Sequence, residues 1–408
     1  MELSQYVNMM RDPAGLPFFP IVFQFLMVLT FALHIIMINL VVGGISLSIW
    51  EKTQNTPHSH RLAKALAKMV TISLSIAIVL GVAPLLFVQT IYDPFWYTAT
   101  TMSAIWAMLF LVAVAAAFYA AYTFYLGKDG ARNPNTTFAL SSYICLIALA
   151  ISGIIIHMIT MEQTMPEHWK TWVVSPWSGM DTSGFIFRGI EWGRLMHFIL
   201  PSFAVTGVFL MLYSWYFQPR GDYPKEYLDY VAEKGAKMAL WFTALSIGAG
   251  FWWAGTIPSH LHFLSSPFFI IGAIAGLVLM GFLANAAMNP IKNSIPVAVA
   301  MFVAIFLMCY TREGLRMAYT GAVGYSIFNY KLNISWSSTL LFFATFIGSF
   351  PVLYFTGLAA FKAGRAEKGE VVTISETTGK IALSLMIIWF VLVAGLGVII
   401  SLKNGVLF

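Results

Sequence analysis

The chain has 408 residues, of which 59% are hydrophobic and only 10% charged, and its mean hydropathy is +0.79. A water-soluble chain carries roughly 25% charged residues, so this composition excludes a secreted, cytosolic or nucleic-acid-binding protein. The net charge of +6 comes from basic residues in short segments between apolar runs, and the chain reads as an all-α, polytopic transmembrane bundle.

A membrane span needs about 20 apolar residues, and by that measure the chain gives ten. They are 18–50, 67–91, 99–126, 137–161, 191–218, 238–257, 267–288, 294–310, 336–361 and 378–400. The runs are continuously apolar rather than alternating, which selects helices over a barrel. The first run is expected to tilt or to extend beyond the lipid. It follows acidic and polar residues and is too long for a cleavable signal. Joining segments on one side of the membrane hold 15 Lys and Arg, Lys368 among them, against 8 on the other. The richer side is expected to be cytoplasmic, with both termini periplasmic, in a bacterial inner membrane. Two outer loops stand out, 162–190 with Trp169, Trp172 and Trp177, and 311–335. No internal repeat is visible. The chain reads as one membrane domain, 1–408, with a core over about 18–320 and additional spans over about 336–400.

Ionisable residues inside spans are costly unless paired or functional. All 17 acids read as lying in loops or at span ends. Histidine behaves differently. His34, His157 and His197 fall inside spans, and His260 and His262 sit on the outer connection before the seventh. His168 reads as a surface residue, and His58 and His60 as solvated loop residues. His34 lies about 14 residues beyond Pro20, or ~21 Å at 1.5 Å per residue, near mid-membrane. A neutral imidazole between helices is the usual axial ligand of a b-type haem; it can equally bond a neighbouring carbonyl. Gly43, Gly44, Gly153 and Gly207 would allow close approach of a macrocycle. Arg194, Arg312, Arg316 and Lys170 would meet its propionates. Cys145 and Cys309 form no Cys-x-x-Cys-His pattern, which excludes covalent c-type haem. Any of the methionines is open as a sixth ligand.

Three segments together resemble subunit I of the cytochrome bd-type quinol oxidases. They are FQFLMVLTFALHIIMINLVVGG, RLMHFILPSFAVTGVF and REGLRMAY, and LGVAPLLFVQTIYD is similar to that family's Gly-Val-Ala turn. The resemblance covers roughly 18–320. It implies that His34 and His197 are haem ligands, with Glu313, Arg316 and Tyr319 beside the haems and the quinol region. The departures are specific. The third span lacks the family's glutamates, the long quinol loop is reduced to IPSHLHFLSSP, and no methionine stands early in span seven. His157, His260 and His262 appear instead. Two-histidine ligation would close the iron to oxygen and leave an electron conduit.

The reading is therefore a b-type cytochrome holding two or more haems b. It would oxidise membrane quinol near the outer face and pass electrons to a periplasmic c-type cytochrome or another redox subunit of a hetero-oligomeric respiratory complex. His34, His157 and His197 are the expected iron ligands, with His260 or His262 completing a site. Glu191, Arg194, Arg312, Glu313, Arg316 and Tyr319 are the expected propionate and quinol region. In it, Glu191 and Arg194 form an i,i+3 pair, either a salt bridge or a proton acceptor beside its cation. A bd-like terminal oxidase and a haem-free anchor or transporter stay open as alternatives.

Overall fold

The computed structural model describes residues 2–175, 179–367 and 369–406; Trp177 and Lys368 lie outside them. Helices follow in chain order: α1 (Leu3–Met9), α2 (Pro20–Thr53), α3 (Pro57–Ile91), α4 (Asp93–Met102), α5 (Ala104–Leu126), α6 (Leu140–Glu162), α7 (Trp169–Val173) and α8 (Trp192–Phe217). After these come α9 (Lys225–Ala254), α10 (Pro267–Ala286), α11 (Ser294–Ala322), α12 (Trp336–Arg365) and α13 (Glu376–Lys403). A two-residue antiparallel pair, β1 (Val174–Ser175) with β2 (Gly179–Met180), follows α7. Local chemistry sets the starts. Pro20, Pro57 and Pro267 occupy first-turn positions, where a missing N–H costs nothing. The Thr56 hydroxyl accepts from Ser59 N at 3.1 Å to cap α3, and Ser266 caps α10 by accepting from Phe269 N at 3.3 Å.

Nine helices among the described residues are long and apolar enough to cross a membrane, which makes this an all-α, multi-pass membrane protein. The tenth expected span, 238–257, falls on α9 as far as Ala254, a helix long enough at 30 residues but less apolar. Its first half carries Lys225, Glu226, Asp229, Glu233, Lys234 and Lys237.

Three boundaries differ from the sequence reading. The run 99–126 is broken at Ser103, whose buried hydroxyl bonds Glu162 Oε2 at 2.7 Å and Ile186 O at 2.8 Å. LGVAPLLFVQTIYD forms no turn after a span; α3 continues through it, with Pro84 inside the helix. The expected outer loop 311–335 is helical as far as Ala322. Its Glu, Leu, Arg, Met and Ala are good helix formers, so the hydropathy falls there without the helix ending. In consequence Glu313 lies within a membrane-spanning helix and is 3% exposed, which corrects the expectation that every acid sits in a loop or at a span end.

The chain forms two compact units. The larger comprises 1–215 and 225–331, and the smaller 216–224 and 332–408. In the larger, two cations are anchored. Lys52 Nζ donates to Gly130 O at 2.9 Å and Asn133 O at 3.0 Å, and Lys234 pairs with the fully buried Glu51. In the smaller, Tyr216 Oη donates to Phe361 O at 2.8 Å and Trp389 Nε1 to Thr345 Oγ1 at 3.1 Å.

Candidate functional site

The histidines in spans separate into two kinds. On α2, His34 Nδ1 lies 2.9 Å from Ala77 O of α3. On α8, His197 Nδ1 lies 2.8 Å from Ser246 O of α9. A carbonyl only accepts, so each ring carries its proton on Nδ1 and keeps the Nε2 lone pair available. Both rings lie against a glycine of the neighbouring helix. A Cβ added at Gly81 would stand 2.8 Å from His34 Cε1, and one at Gly250 2.9 Å from His197 Cε1. This is the arrangement in which an imidazole is oriented by one nitrogen and ligates with the other.

His157 is the other kind. Its Nε2 accepts the backbone N–H of Glu191 at 3.2 Å, so that lone pair is occupied. His260 and His262 are exposed on the connection between α9 and α10, and neither lines the cavity described next. The five expected histidines are therefore not brought together. Among the described residues no three His, Cys, Asp or Glu side chains cluster as metal ligands.

His197 borders a cavity of about 200 Å³ walled by α2, α8, α9, α10 and α11. Phe31 and Asn39 face it from α2, Thr243 from α9, Gly272 and Gly276 from α10, and Met301, Met308 and Arg312 from α11. The lining is mostly apolar, with Asn39, His197, Thr243, Ser246, Thr311 and Arg312 as its polar members. Two buried polar atoms of this wall, Thr243 Oγ1 and Arg312 Nε, have no hydrogen-bond partner. Met308 and Arg312 are four residues apart on one face of α11.

Arg194, Arg312 and Arg316 converge on a smaller adjoining pocket with Thr160, Thr164 and Tyr319. Arg194 Nη2 donates to Thr160 Oγ1 at 3.2 Å, while its Nη1 is buried without a partner. Arg312 stacks on Phe31, 4.3 Å from the ring centroid. Arg316 Nη1 lies 3.4 Å from Glu313 Oε2. Glu313 also accepts from Gln24 Nε2 at 3.0 Å and from Tyr92 Oη at 2.6 Å. Glu191 forms no ion pair with the Arg194 guanidinium among the described residues. Its carboxylate accepts from the backbone N–H of Gly193 at 3.1 Å and from that of Arg194, closing the start of α8. Of these three guanidiniums, only that of Arg316 is paired with a carboxylate, Glu313, and donors of Arg194 and Arg312 are buried without a partner. Buried charge without a partner costs several kcal/mol, and anionic oxygens at this cluster would offset that cost. The donor set fits a haem, with an imidazole nitrogen and thioether sulfurs along an apolar slot and orphaned cationic donors where propionates would lie.

Sequence reasoning expected His34 and His197 inside spans, where they lie on α2 and α8, but put Arg312 and Arg316 in an outer loop, whereas both lie on α11. It assigned Gly43, Gly44 and Gly207 to a macrocycle, whereas a Cβ there would meet Ser202, Met69 and Gly235, so these residues let helices approach each other; Gly153 has open space around it. It missed Gly81 and Gly250, Met308, Thr243 and Gln24. Glycines one turn beyond a carbonyl that faces a histidine were a usable signal only once the helix pairing was known. No family model and no curated protein matches the sequence.

Proposed function

We propose that the chain is a b-type cytochrome of a bacterial cytoplasmic membrane. It takes electrons from membrane quinol and delivers them to a periplasmic c-type cytochrome or another redox subunit of a respiratory complex. The observation that carries this reading is the pair of span histidines with Nδ1 anchored to a carbonyl and Nε2 available. The buried arginine cluster beside one of them supports it, as does the resemblance of these segments to subunit I of the bd-type quinol oxidases. A haem supplies one-electron chemistry when bound; the rest belongs to the protein. His34 and His197 are the ligands on α2 and α8. Met308, a soft thioether in the wall of the His197 cavity one turn from Arg312 on the same helix face, would supply a further ligand to a haem held there. Arg194, Arg312 and Arg316 would hold the propionates of a haem bound there. Glu313, fixed by Tyr92 and Gln24, is the carboxylate poised to take a proton from a hydroquinone bound at this cluster. His157 holds the chain entering α8 rather than an iron. The excess of basic residues on one set of joining segments puts the arginine cluster on the periplasmic side.

The test is a reduced-minus-oxidised spectrum of the purified chain, with a short-chain quinol as reductant. The expected result is a Soret band with b-type α-band features that appear on quinol addition. A chain without a Soret band overturns the haem reading, and a haem that dithionite reduces but quinol does not overturns the electron donor.

A further inference from the structure

The two histidine seats are built alike in more than their hydrogen bonds. In each, the carbonyl acceptor precedes the glycine by four residues, Ala77 before Gly81 and Ser246 before Gly250. Further down each pair of helices a second glycine allows close approach. A Cβ at Gly44 would lie 3.0 Å from Val70 Cγ2, and one at Gly207 would lie 2.6 Å from Ala239 N. Nearer each connection a serine hydroxyl donates to a carbonyl of the returning helix, Ser48 to Ala63 at 2.8 Å and Ser214 to Leu228 at 2.9 Å.

The numbering keeps one register. His34 and His197 are 163 positions apart, as are Gly44 and Gly207. Ala77 and Ser246, Gly81 and Gly250, and Val70 and Ala239 are each 169 apart. At these offsets identical residues recur. On the first helix they are His34, Ile36, Val42, Gly44 and Leu47, matched by His197, Ile199, Val205, Gly207 and Leu210. On the second, Ala67-Lys68-Met69 is matched by Ala236-Lys237-Met238, Ile78 by Ile247 and Gly81 by Gly250.

The contact between the first helices has the form that symmetry requires. Equivalent residues Asn39 and Ser202 bond each other at 3.0 Å, and equivalent Gly43 and Thr206 lie side by side. The cross pairs are reciprocal. Gly43 stands against Ser202 O, and Thr206 Oγ1 donates to Asn39 O at 3.5 Å. An interface in which each position meets its own equivalent, and two positions meet each other both ways, is isologous. Because the pairs run in the same order along both helices, the relation is that of parallel repeats about an axis along the helices.

From these contacts we infer that the α2–α3 and α8–α9 hairpins are two copies of one haem-ligand module, joined across a pseudo-two-fold seam at Asn39 and Ser202, with Gly81 and Gly250 the equivalent positioning residues. This corrects the sequence reading, in which no internal repeat was visible. The identities are sparse, and the copies are separated by unlike helices and use two different offsets. The inference rests on the haem reading above and adds to it that the chain holds one haem per module, each seated independently by its own glycine. The glycine leaves the ring room to stand on the carbonyl, and a methyl there would push the ring off it.

The experiment measures haem per chain by pyridine haemochromogen in the full-length protein and in Gly81→Ala, Gly250→Ala and Gly248→Ala. Gly248 is on α9 with open space where a Cβ would go, so its alanine variant reports the cost of altering a helix glycine alone. The expected result is that Gly81→Ala and Gly250→Ala each lose about half the haem while removing different α-band components, and that Gly248→Ala loses none. Loss of both haems or of neither in the two seat variants overturns the inference, and an unaltered chain without haem overturns the reading beneath it. A thermal-stability cycle covers poor folding of either variant. Gly81→Ala is expected to lower the melting temperature in the natural background and to have no effect in His34→Gly, where the ring is gone. An equal drop in both backgrounds would make Gly81 a plain packing residue and overturn its positioning role.

Discussion

Two regions hold a span histidine at a helix interface and use it in opposite ways. At the α2–α3 and α8–α9 seats the ring gives its proton to a carbonyl and keeps Nε2 available. At the α6 end, His157 uses Nε2 to accept the N–H of Glu191 and so pins the entry to α8. The residue type and the place at a contact between elements are shared. The difference is which backbone group faces the ring, a carbonyl in one case and an N–H in the other. Ligand capacity is therefore set by the neighbouring helix, not by the histidine.

The sharpest way to break this comparison is to remove the rings in turn. His197→Leu and His34→Leu are each expected to abolish one haem completely, read as loss of one b component in the spectrum. His157→Leu is expected to keep the full haem content and to lower stability by about 1 kcal/mol, the worth of one hydrogen bond. Loss of a haem in His157→Leu would erase the distinction. Next in size, Met308→Leu is expected to open the His197 site and make its ferrous spectrum respond to CO, while Met301→Leu leaves it unresponsive. Removing a buried cation is smaller. Arg312→Leu is expected to lower the midpoint potential of the His197 haem, because a nearby positive charge favours the reduced state. A charge-assisted contact is worth about 1–3 kcal/mol, and a redox titration reads the shift.

The smallest expected effect lies away from the haems, where the amino-terminal segment is anchored. The Asp93 carboxylate accepts from Tyr330 Oη and from Asp12 N, the latter at 2.7 Å. Burial, the largest influence, raises Asp93 above the usual carboxylate range; bonds from Tyr330 and Asp12 and the nearby Arg11 pull the other way. A folded pKa above the unfolded one gives stability that is fully present below the unfolded value and lost as pH rises through the folded value. Limited proteolysis of the segment before α2 is thus expected to quicken from acidic to neutral buffer, and to lose that dependence in Asp93→Asn. A pH-independent cleavage rate in the unaltered chain would contradict the anchor.

Much of the fold is legible because apolar runs of span length have few alternatives to a membrane helix. What misled was charge. The polar residues of 311–322 read as a loop, yet they continue α11, because Glu313 is satisfied inside by Arg316, Tyr92 and Gln24 and Arg312 lies over the Phe31 ring. The polar start of α9 likewise hid the true length of that helix. At the site, His34 and His197 stood out through their segments, whereas the roles of Gly81 and Gly250 depend on which helix faces which, and no single-segment pattern carries that. The nitrogen of His157 that is occupied is equally a tertiary fact, since Glu191 is 34 positions away.

The most direct test of the central claim is the number of b-type haems bound to the purified chain and to its His34→Leu and His197→Leu variants. The account predicts two haems in the unaltered chain and one in each variant, with different spectral components remaining. A chain without haem, or a variant that keeps both, would contradict it.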